Sequence, residues 1–323
     1  MTSVLVLIES DQGVMAPASH EALTFAREYA AGAGLPVNAI IFGAESGMAA
    51  EAGTYGAGTV HVADHALLDD YSPEAWGETL AQAITATAPA VVVATGSDRG
   101  NEVMAQAAAR LDLPFVANCT EVDSGAAEMT RSQWGGSLLE RVTLDAATRL
   151  LSVAPHAFTA SPAAAPGAGM VMPFAPQLDD SVARTKVTDR VVLSSGVTLS
   201  TAPVVIGGGR GVGSAEAYAP LEELAELLGG RVGCSRAVTN NGWRPHSDQV
   251  GQTGTRIAPE LYIACGISGA IQHWVGAKAS KNILAINTDN EANMVTKAGH
   301  AVIGDLHVLI PAITAEVKKR KGL

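Results

Sequence analysis

Between residues 4 and 111, short apolar runs alternate with amphipathic stretches: 4–8 then 19–33, 39–42 then 45–53, 59–63 then 73–87, and 90–94 then 101–111. Runs this rich in Val, Ile and Ala read as strands buried on both faces, which requires helices on both faces of the sheet. A helix between successive strands carries the chain back to its starting edge, so the strands run parallel. The pattern predicts a doubly wound α/β domain. Beyond Pro114 the helix signals thin out, and segments 116–122, 128–134, 138–144 and 148–153 read as further strands extending the same sheet.

A second domain is expected from length alone, since 323 residues exceed one ordinary core. Residues 157–177, rich in Ala, Pro and Gly, lack helical or strand periodicity and read as a surface connection. Segment 182–199 reads as a strand pair leading into the second domain. The expected division is 1–195 and 200–323. In the second part the strand and helix rhythm resumes, with strands at 203–206, 231–234, 261–265, 283–286 and 301–303 and helices at 221–228, 269–278 and 291–297. A terminal helix follows, on which Leu306, Leu309, Ile310, Ile313 and Val317 form one apolar face, suited to core packing or to a partner subunit. The fold class is thus α/β, with two doubly wound parallel-sheet, Rossmann-like domains.

Several function classes are excluded by composition. The net charge of −11 repels phosphate, which argues against nucleic acid and anionic membranes as partners. No apolar run approaches the ~20 residues that span a bilayer, and no leader pattern is visible, so a bacterial cytoplasmic location is expected. The cysteines, Cys119, Cys234 and Cys265, are spaced too widely for a metal or redox motif and read as buried reduced thiols. His61 and His65 have helical metal spacing but straddle a strand end without a third ligand, and surface positions are expected for them. The turn at 95–101, Thr-Gly-Ser-Asp-Arg-Gly-Asn, follows a strand and precedes a helix, where ligands sit in open α/β sheets, and it also reads as a capped, solvated connection.

The chemistry concentrates between residues 249 and 273: Gln-Val-Gly-Gln-Thr-Gly, an Ala-Pro-Glu spacer, the strand 261–265, then Gly-Ile-Ser-Gly-Ala-Ile-Gln-His. A strand followed by a glycine turn and a helix start can expose backbone N–H groups to a phosphate. Ser268 is expected as the helix N-cap, with Gly269 allowing close approach and Gln272 and His273 one turn further in. Alone, a Ser-Gly helix start is also an ordinary cap. Upstream, Gly-Gly-Gly-Arg-Gly-Val-Gly at 207–213 forms a second glycine turn. It is neither a Walker A loop, since no Gly-Lys-Ser/Thr follows, nor a G-x-G-x-x-G fingerprint, and no acid ends the next strand to hold a nicotinamide ribose. Ser235-Arg236 stands there instead, where the arginine suits a phosphate or an electron-rich ring, or simply a salt bridge. Arg210, Ser235, Arg236, Gln249, Thr253, Ser268, Gln272, His273, Asn287 and Asp305 all fall at strand C-termini or in the one long loop, so a parallel sheet brings them to one edge. No nucleophile trio, carboxylate pair or metal cluster accompanies them, so no catalytic or metal site is assigned.

These residues carry a resemblance. Gly-Gly-Arg-Gly at 208–211, Ser235-Arg236, the block 249–254, Ala-Pro-Glu-Leu-Tyr-Ile at 258–263, 266–273, Ala-Ile-Asn at 285–287 and Asp305-Leu306 are similar to the motifs of the electron transfer flavoprotein alpha subunit. The likeness is dense over the second domain and loose over the first. It implies FAD in the second domain, with a cofactor-binding set of Arg210, Ser235, Arg236, Gln249, Val250, Gly251, Gln252, Thr253, Gly254, Ser268, Gly269, Ala270, Ile271, Gln272, His273, Asn287, Asp289, Asp305 and Leu306. By position, 268–270 and the Arg210 loop resemble the pyrophosphate grip, and Asn287 and Asp305 the adenosine side. Thr253 resembles the hydroxyl near flavin N5, Arg236 the cation over the ring, and His273 an imidazole at the C2 carbonyl, held protonated there only by a flavin anion and less so as pH rises.

The resemblance also implies a heterodimer with a beta subunit, which has room for AMP, and a first domain that packs on that partner. The implied job is electron carriage in fatty acid beta-oxidation, from flavin dehydrogenases such as acyl-CoA dehydrogenases to electron transfer flavoprotein-quinone oxidoreductase, rather than catalysis on a substrate of its own. A dehydrogenase-specific or bifurcating paralogue is the alternative. An NAD-binding or thiamine-enzyme-like module and a partner that has lost its cofactor are the competing classes, opposed by the missing ribose acid and by the intact Arg236, Thr253 and His273. The family pattern is broken at 237–242, Ala-Val-Thr-Asn-Asn-Gly, and at Asn290 and Asn293, which puts partner recognition in question more than the cofactor.

Overall fold

A computed structural model describes residues 2–11, 13–43, 47–123, 128–188 and 197–323. The chain separates into two compact units, one built of residues 1–134 and 138–191, the other of 135–137 and 192–323.

The first unit contains strands β1 (Val4–Leu7), β2 (Ser10–Asp11), β3 (Val14–Met15), β4 (Val37–Phe42), β5 (Thr59–Ala63), β6 (Val91–Thr95), β7 (Phe115–Val122), β8 (Glu128–Gln133), β9 (Leu138–Thr143), β10 (Arg149–Val153) and β11 (Met170–Phe174). Helices α1 (Pro17–Ala33), α2 (Gly47–Thr54), α3 (Pro73–Thr87) and α4 (Asp98–Leu111) intervene. Its nine-stranded sheet runs β11-β5-β4-β1-β6-β10-β7-β8-β9, parallel as far as β7 and antiparallel beyond it. The apolar runs hide a strict alternation: Val4, Val6, Ala39, Ile41, Val91 and Val93 enter one core, and Leu5, Leu7, Ile40, Phe42, Val92 and Ala94 the other. Both faces are buried, which is why the sequence reads as continuous apolar stretches.

Three expectations for this half need correction. Residues 157–177 are not wholly a surface connection, because β11 lies within them and pairs with β5 at the sheet edge. Its side chains are mostly exposed, so burial leaves no apolar alternation to read, and backbone contacts hold it, with the N–H groups of Gly167, Gly169 and Met170 bonded to the carbonyls of Gly53, Ala57 and Gly58. Of the strand pair expected at 182–199, residues 189–196 lie outside the described residues, and 182–188 and 197–199 form no strand. His61 is 6% exposed within β5, not on the surface, and burial lowers its pKa. The turn at 95–101 is capped as expected by Ser97, which accepts from Gly100 N, but the Thr95 and Ser97 hydroxyls also donate to the buried carboxyl of Glu9.

The second unit contains β12 (Val204–Gly208), α5 (Ala219–Leu227), β13 (Arg231–Cys234), α6 (Arg236–Asn240), β14 (Leu261–Cys265), α7 (Ile271–Ala277), β15 (Asn282–Asn287), α8 (Asn293–Lys297), β16 (His300–Ile303) and α9 (Leu306–Lys321). All five strands are parallel in the order β13-β12-β14-β15-β16. The first strand in sequence thus has the second on one side and the third on the other, a doubly wound sheet whose winding reverses between β12 and β14. Ile206, Ile263, Cys265 and Ile286 face α5 and α9, whereas Val205, Tyr262, Ala264 and Ala285 face the layer of Val250, Ile257, Ala277 and Met294. The apolar stripe of α9 packs into the first of these cores through Leu306 and Ile310, with Leu309, Ile313 and Val317 behind them. All three cysteines are free and buried.

Candidate functional site

At the point where the winding reverses, the chain leaving β12 lies against the chain leaving β14. Gly209 N donates to Cys265 O at 2.8 Å and Gly211 N to Gly266 O at 3.2 Å, and a Cβ on Gly209 would collide with the Gly266 carbonyl. The glycine turn therefore serves close backbone approach, and it sets Arg210 on the rim, exposed. Next to it, Ser235 N donates to Gly208 O at 3.0 Å, and α6 starts with the exposed Arg236. The Ser235 hydroxyl makes no capping bond and is left available.

The long loop is fastened at both ends. Val250 N bonds Cys234 O, extending the edge beside β13, while Gln252 N bonds Gln272 O and Ile257 N bonds Gly276 O, each at 2.8 Å. Gln249 is only 2% exposed: its Nε2 donates to Thr253 Oγ1 and its Oε1 accepts from Thr239, both at 2.9 Å. Thr253 itself is exposed at the loop tip.

After β14 the turn differs from expectation. Helix α7 begins at Ile271 with Ala270 as its N-cap residue, so Ser268 is not the cap. The cause is Gly269, whose φ of 76° places it outside helical geometry and lets it lie against the Met294 backbone, where a Cβ would collide. Among the described residues, the backbone N–H groups from Ser268 to Gln272 have no hydrogen-bond acceptor. Asn287 braces the turn, donating from Nδ2 to Ile267 O and accepting from Asp289 N, both at 3.1 Å.

His273 reaches the site from within α7. It is 6% exposed, and its Nε2 lies 2.8 Å from the Tyr262 hydroxyl. Burial lowers its pKa to about 4, partly offset by the Val250 backbone. In the flavin-free chain desolvation thus disfavours the charged ring.

These groups enclose a crevice of about 620 Å³, within the range of about 300–1,000 Å³ for small-molecule sites. Arg210, Ser235, Arg236, Gln249, Val250, Gly251, Gln252, Thr253, Ser268, Gly269, Ala270, Gln272, His273, Asn287 and Asp289 line it. Neither Arg210 nor Arg236 has a carboxylate partner among the described residues, so the salt bridge left open for Arg236 is absent from these residues. Four expected residues stand outside the lining. Asp305 caps α9 by accepting from His307 N, Leu306 is core, Ile271 points to solvent, and Gly254 packs on the Gln249 backbone. Conversely, Gly211, Ala237, Gly266, Ile267 and Ala292 line the crevice without having been assigned to the cofactor-binding set. The first four adjoin predicted site residues and proximity would have found them, whereas Ala292 arrives only through the packing of α8. Among the described residues no cluster of His, Cys, Asp or Glu could hold a metal, and no helix is long and apolar enough to cross a membrane.

Fold and site together define an α/β protein whose second unit has a switch-point crevice lined by Arg210, Arg236 and the turn at 268–270. Comparison with known proteins narrows this. Residues 4–178 match the electron transfer flavoprotein domain and residues 198–278 the electron transfer flavoprotein FAD-binding domain. The electron transfer flavoprotein subunit alpha of Mycobacterium leprae is 35% identical over the whole of both chains, and that of Clostridium acetobutylicum is 34% identical over 98% of this chain and 96% of its own. Protein FixB of Bradyrhizobium diazoefficiens is 33% identical over 98% of this chain and 89% of its own. The chain belongs to the electron transfer flavoprotein alpha-subunit family.

Proposed function

We propose that the crevice holds FAD and that the chain, paired with a homologous beta subunit, carries electrons from flavin dehydrogenases to a quinone-linked oxidoreductase. The carrying observation is the convergence, inside the region that matches the FAD-binding domain, of two guanidiniums without a carboxylate partner among the described residues, an exposed hydroxyl and a buried imidazole around one crevice. Bound FAD supplies the redox chemistry, an isoalloxazine that accepts and releases electrons singly. Arg210 and the unbonded N–H groups of 268–272 supply positive charge and donors for a pyrophosphate. Arg236 and Ser235 put a cation and a hydroxyl on the same rim, so charge added to a ring there is offset electrostatically. Gln249 steadies Thr253, and Asn287 holds the shape of the turn. No acid/base couple or nucleophile is assembled among the described lining residues, which suits a carrier rather than an enzyme acting on its own substrate.

In this reading acyl-CoA dehydrogenases are donors, electron transfer flavoprotein-quinone oxidoreductase is the acceptor, AMP has a place in the beta subunit, and the pair works in the bacterial cytoplasm. Relatives named Protein FixB, 33–34% identical over 98% of this chain, stand beside those named for the alpha subunit, and a dehydrogenase-specific or bifurcating variant of the family is the second reading. Co-expression with the beta subunit tests the proposal. A yellow heterodimer with one FAD in this chain, by absorption spectrum and light scattering, is expected, and a colourless complex or a stable flavin-loaded monomer would sink it.

A further inference from the structure

Behind the crevice wall, Tyr262 is fully buried in β14 with its ring against Gly207, where a Cβ would collide with the hydroxyl. Among the described residues that hydroxyl has one hydrogen-bond partner, His273 Nε2 at 2.8 Å. His273 lines the crevice, and its Nδ1 is buried with no hydrogen-bond partner among the described residues. A phenol carries one proton and a neutral imidazole one, so the pair has two arrangements. If Nε2–H donates to the tyrosine oxygen, the tyrosine proton has no acceptor and Nδ1 keeps a bare buried lone pair. Two polar groups are then left unsatisfied, each carrying the full cost of its desolvation. If the tyrosine O–H donates to a bare Nε2, that pair is satisfied and the imidazole proton moves to Nδ1, so that one buried N–H, on the ring that lines the crevice and beside the Val250 backbone, is left in place of two unsatisfied groups.

We propose that Tyr262 is a positioning residue that fixes His273 as the neutral tautomer protonated on Nδ1, and thereby offers the cofactor an uncharged N–H donor suited to a carbonyl oxygen or a ring nitrogen. The proposal rests on the FAD reading of the crevice. Burial works in its favour at both ends of the pair, holding the tyrosine protonated and the imidazole neutral, and only the Val250 backbone favours the charged ring. Such a donor strengthens as charge builds on its acceptor, so it favours the reduced cofactor without adding a full charge to the crevice.

Nitrogen NMR of the full chain labelled with 15N-histidine and co-expressed with its partner reads the tautomer directly, and His273→Gln assigns the resonance. In the flavin-free complex at neutral pH, His273 is expected to show a protonated Nδ1 and an unprotonated Nε2, and flavin loading is expected to shift the Nδ1–H signal. Tyr262→Phe keeps the ring that packs on Gly207. It is expected to return His273 to a mixture or to the Nε2–H form, and to lower the first-electron equilibrium constant about tenfold, or about 59 mV. A parent His273 that is doubly protonated or carries its proton on Nε2 overturns the proposal without needing any variant to fold. An Nδ1–H signal indifferent to flavin, in a complex whose spectrum shows flavin bound, overturns the donor role. A complex that binds no flavin but shows the Nδ1–H tautomer overturns the FAD reading and leaves Tyr262 as the source of the tautomer.

Discussion

At the scale of single residues, Gln249 is a buried amide with both ends committed inside the protein, one to Thr253 and one to Thr239. Gln249 and Thr253 both line the crevice and are bonded to one another, so Gln249→Leu and Thr253→Val are expected to weaken flavin binding non-additively. One hydrogen bond is worth about 1 kcal/mol, so a coupling of that size is expected from flavin titrations of the two single variants and the double. Additivity within about 0.3 kcal/mol would show that they act separately. His273 carries a pH prediction. Its pKa falls from 6.5 to about 4 in the folded chain, so the unfolded chain binds the extra proton between those values. The stability due to the neutral ring is complete above pH 6.5 and is lost as pH falls toward 4, up to roughly 3 kcal/mol. Urea unfolding of the flavin-free chain and of His273→Gln should therefore show a stability difference that shrinks from pH 7 to pH 4. A constant difference would mean that burial does not hold the ring neutral. Sequence pattern alone could nominate His273, Thr253 and Gln249 but could not tell a buried imidazole from a rim cation, because desolvation comes from neighbours distant in sequence.

At the scale of elements, the turn between β14 and α7 is the most constrained feature of the crevice. Gly269 combines a φ of 76° with contact against the Met294 backbone. Gly269→Ala is expected to cost about 1–2 kcal/mol for the left-handed backbone and more for the displaced α8. Because Asn287 and the free N–H groups share that turn, flavin retention after dialysis should fall more than stability does. Retention equal to the parent would remove this turn from the cofactor grip. The buried parallel strands were legible in sequence because burial on both faces leaves uninterrupted apolar runs. Helix starts were less so: Ser268 before a glycine resembles an N-cap, and only the packing of Gly269 on α8 shows that the helix waits until Ile271. Strand β11 was illegible for a related reason, since its exposed side chains carry no pattern and its place is set by backbone pairing with β5.

At the scale of the molecule, the division of labour between the two units follows from where the polar groups lie. Alternating strand and helix signals made both sheets readable, and the order of strand ends predicted that Arg210, Arg236, Thr253 and His273 would share one edge. The second unit supplies every residue that lines the crevice. In the first unit, by contrast, the carboxyl of Glu9 at the strand edge is already engaged by Thr95 and Ser97, and burial raises its pKa. A ligand that binds only the folded crevice stabilises the structure that forms it by about 2.7 kcal/mol at a free concentration of 100 times its Kd. In hydrogen exchange this is a slowing of about 100-fold for amides that exchange only when that structure opens. Adding FAD to the flavin-free heterodimer should therefore slow exchange in residues 207–213, 235–254, 266–273 and 287–292 and leave β1, β4 and β6 at their original rates. Slowing of the same size in both units would mean that the first unit takes part in holding the cofactor. No slowing in the second unit, in a sample whose spectrum shows bound flavin, would place the cofactor outside this crevice.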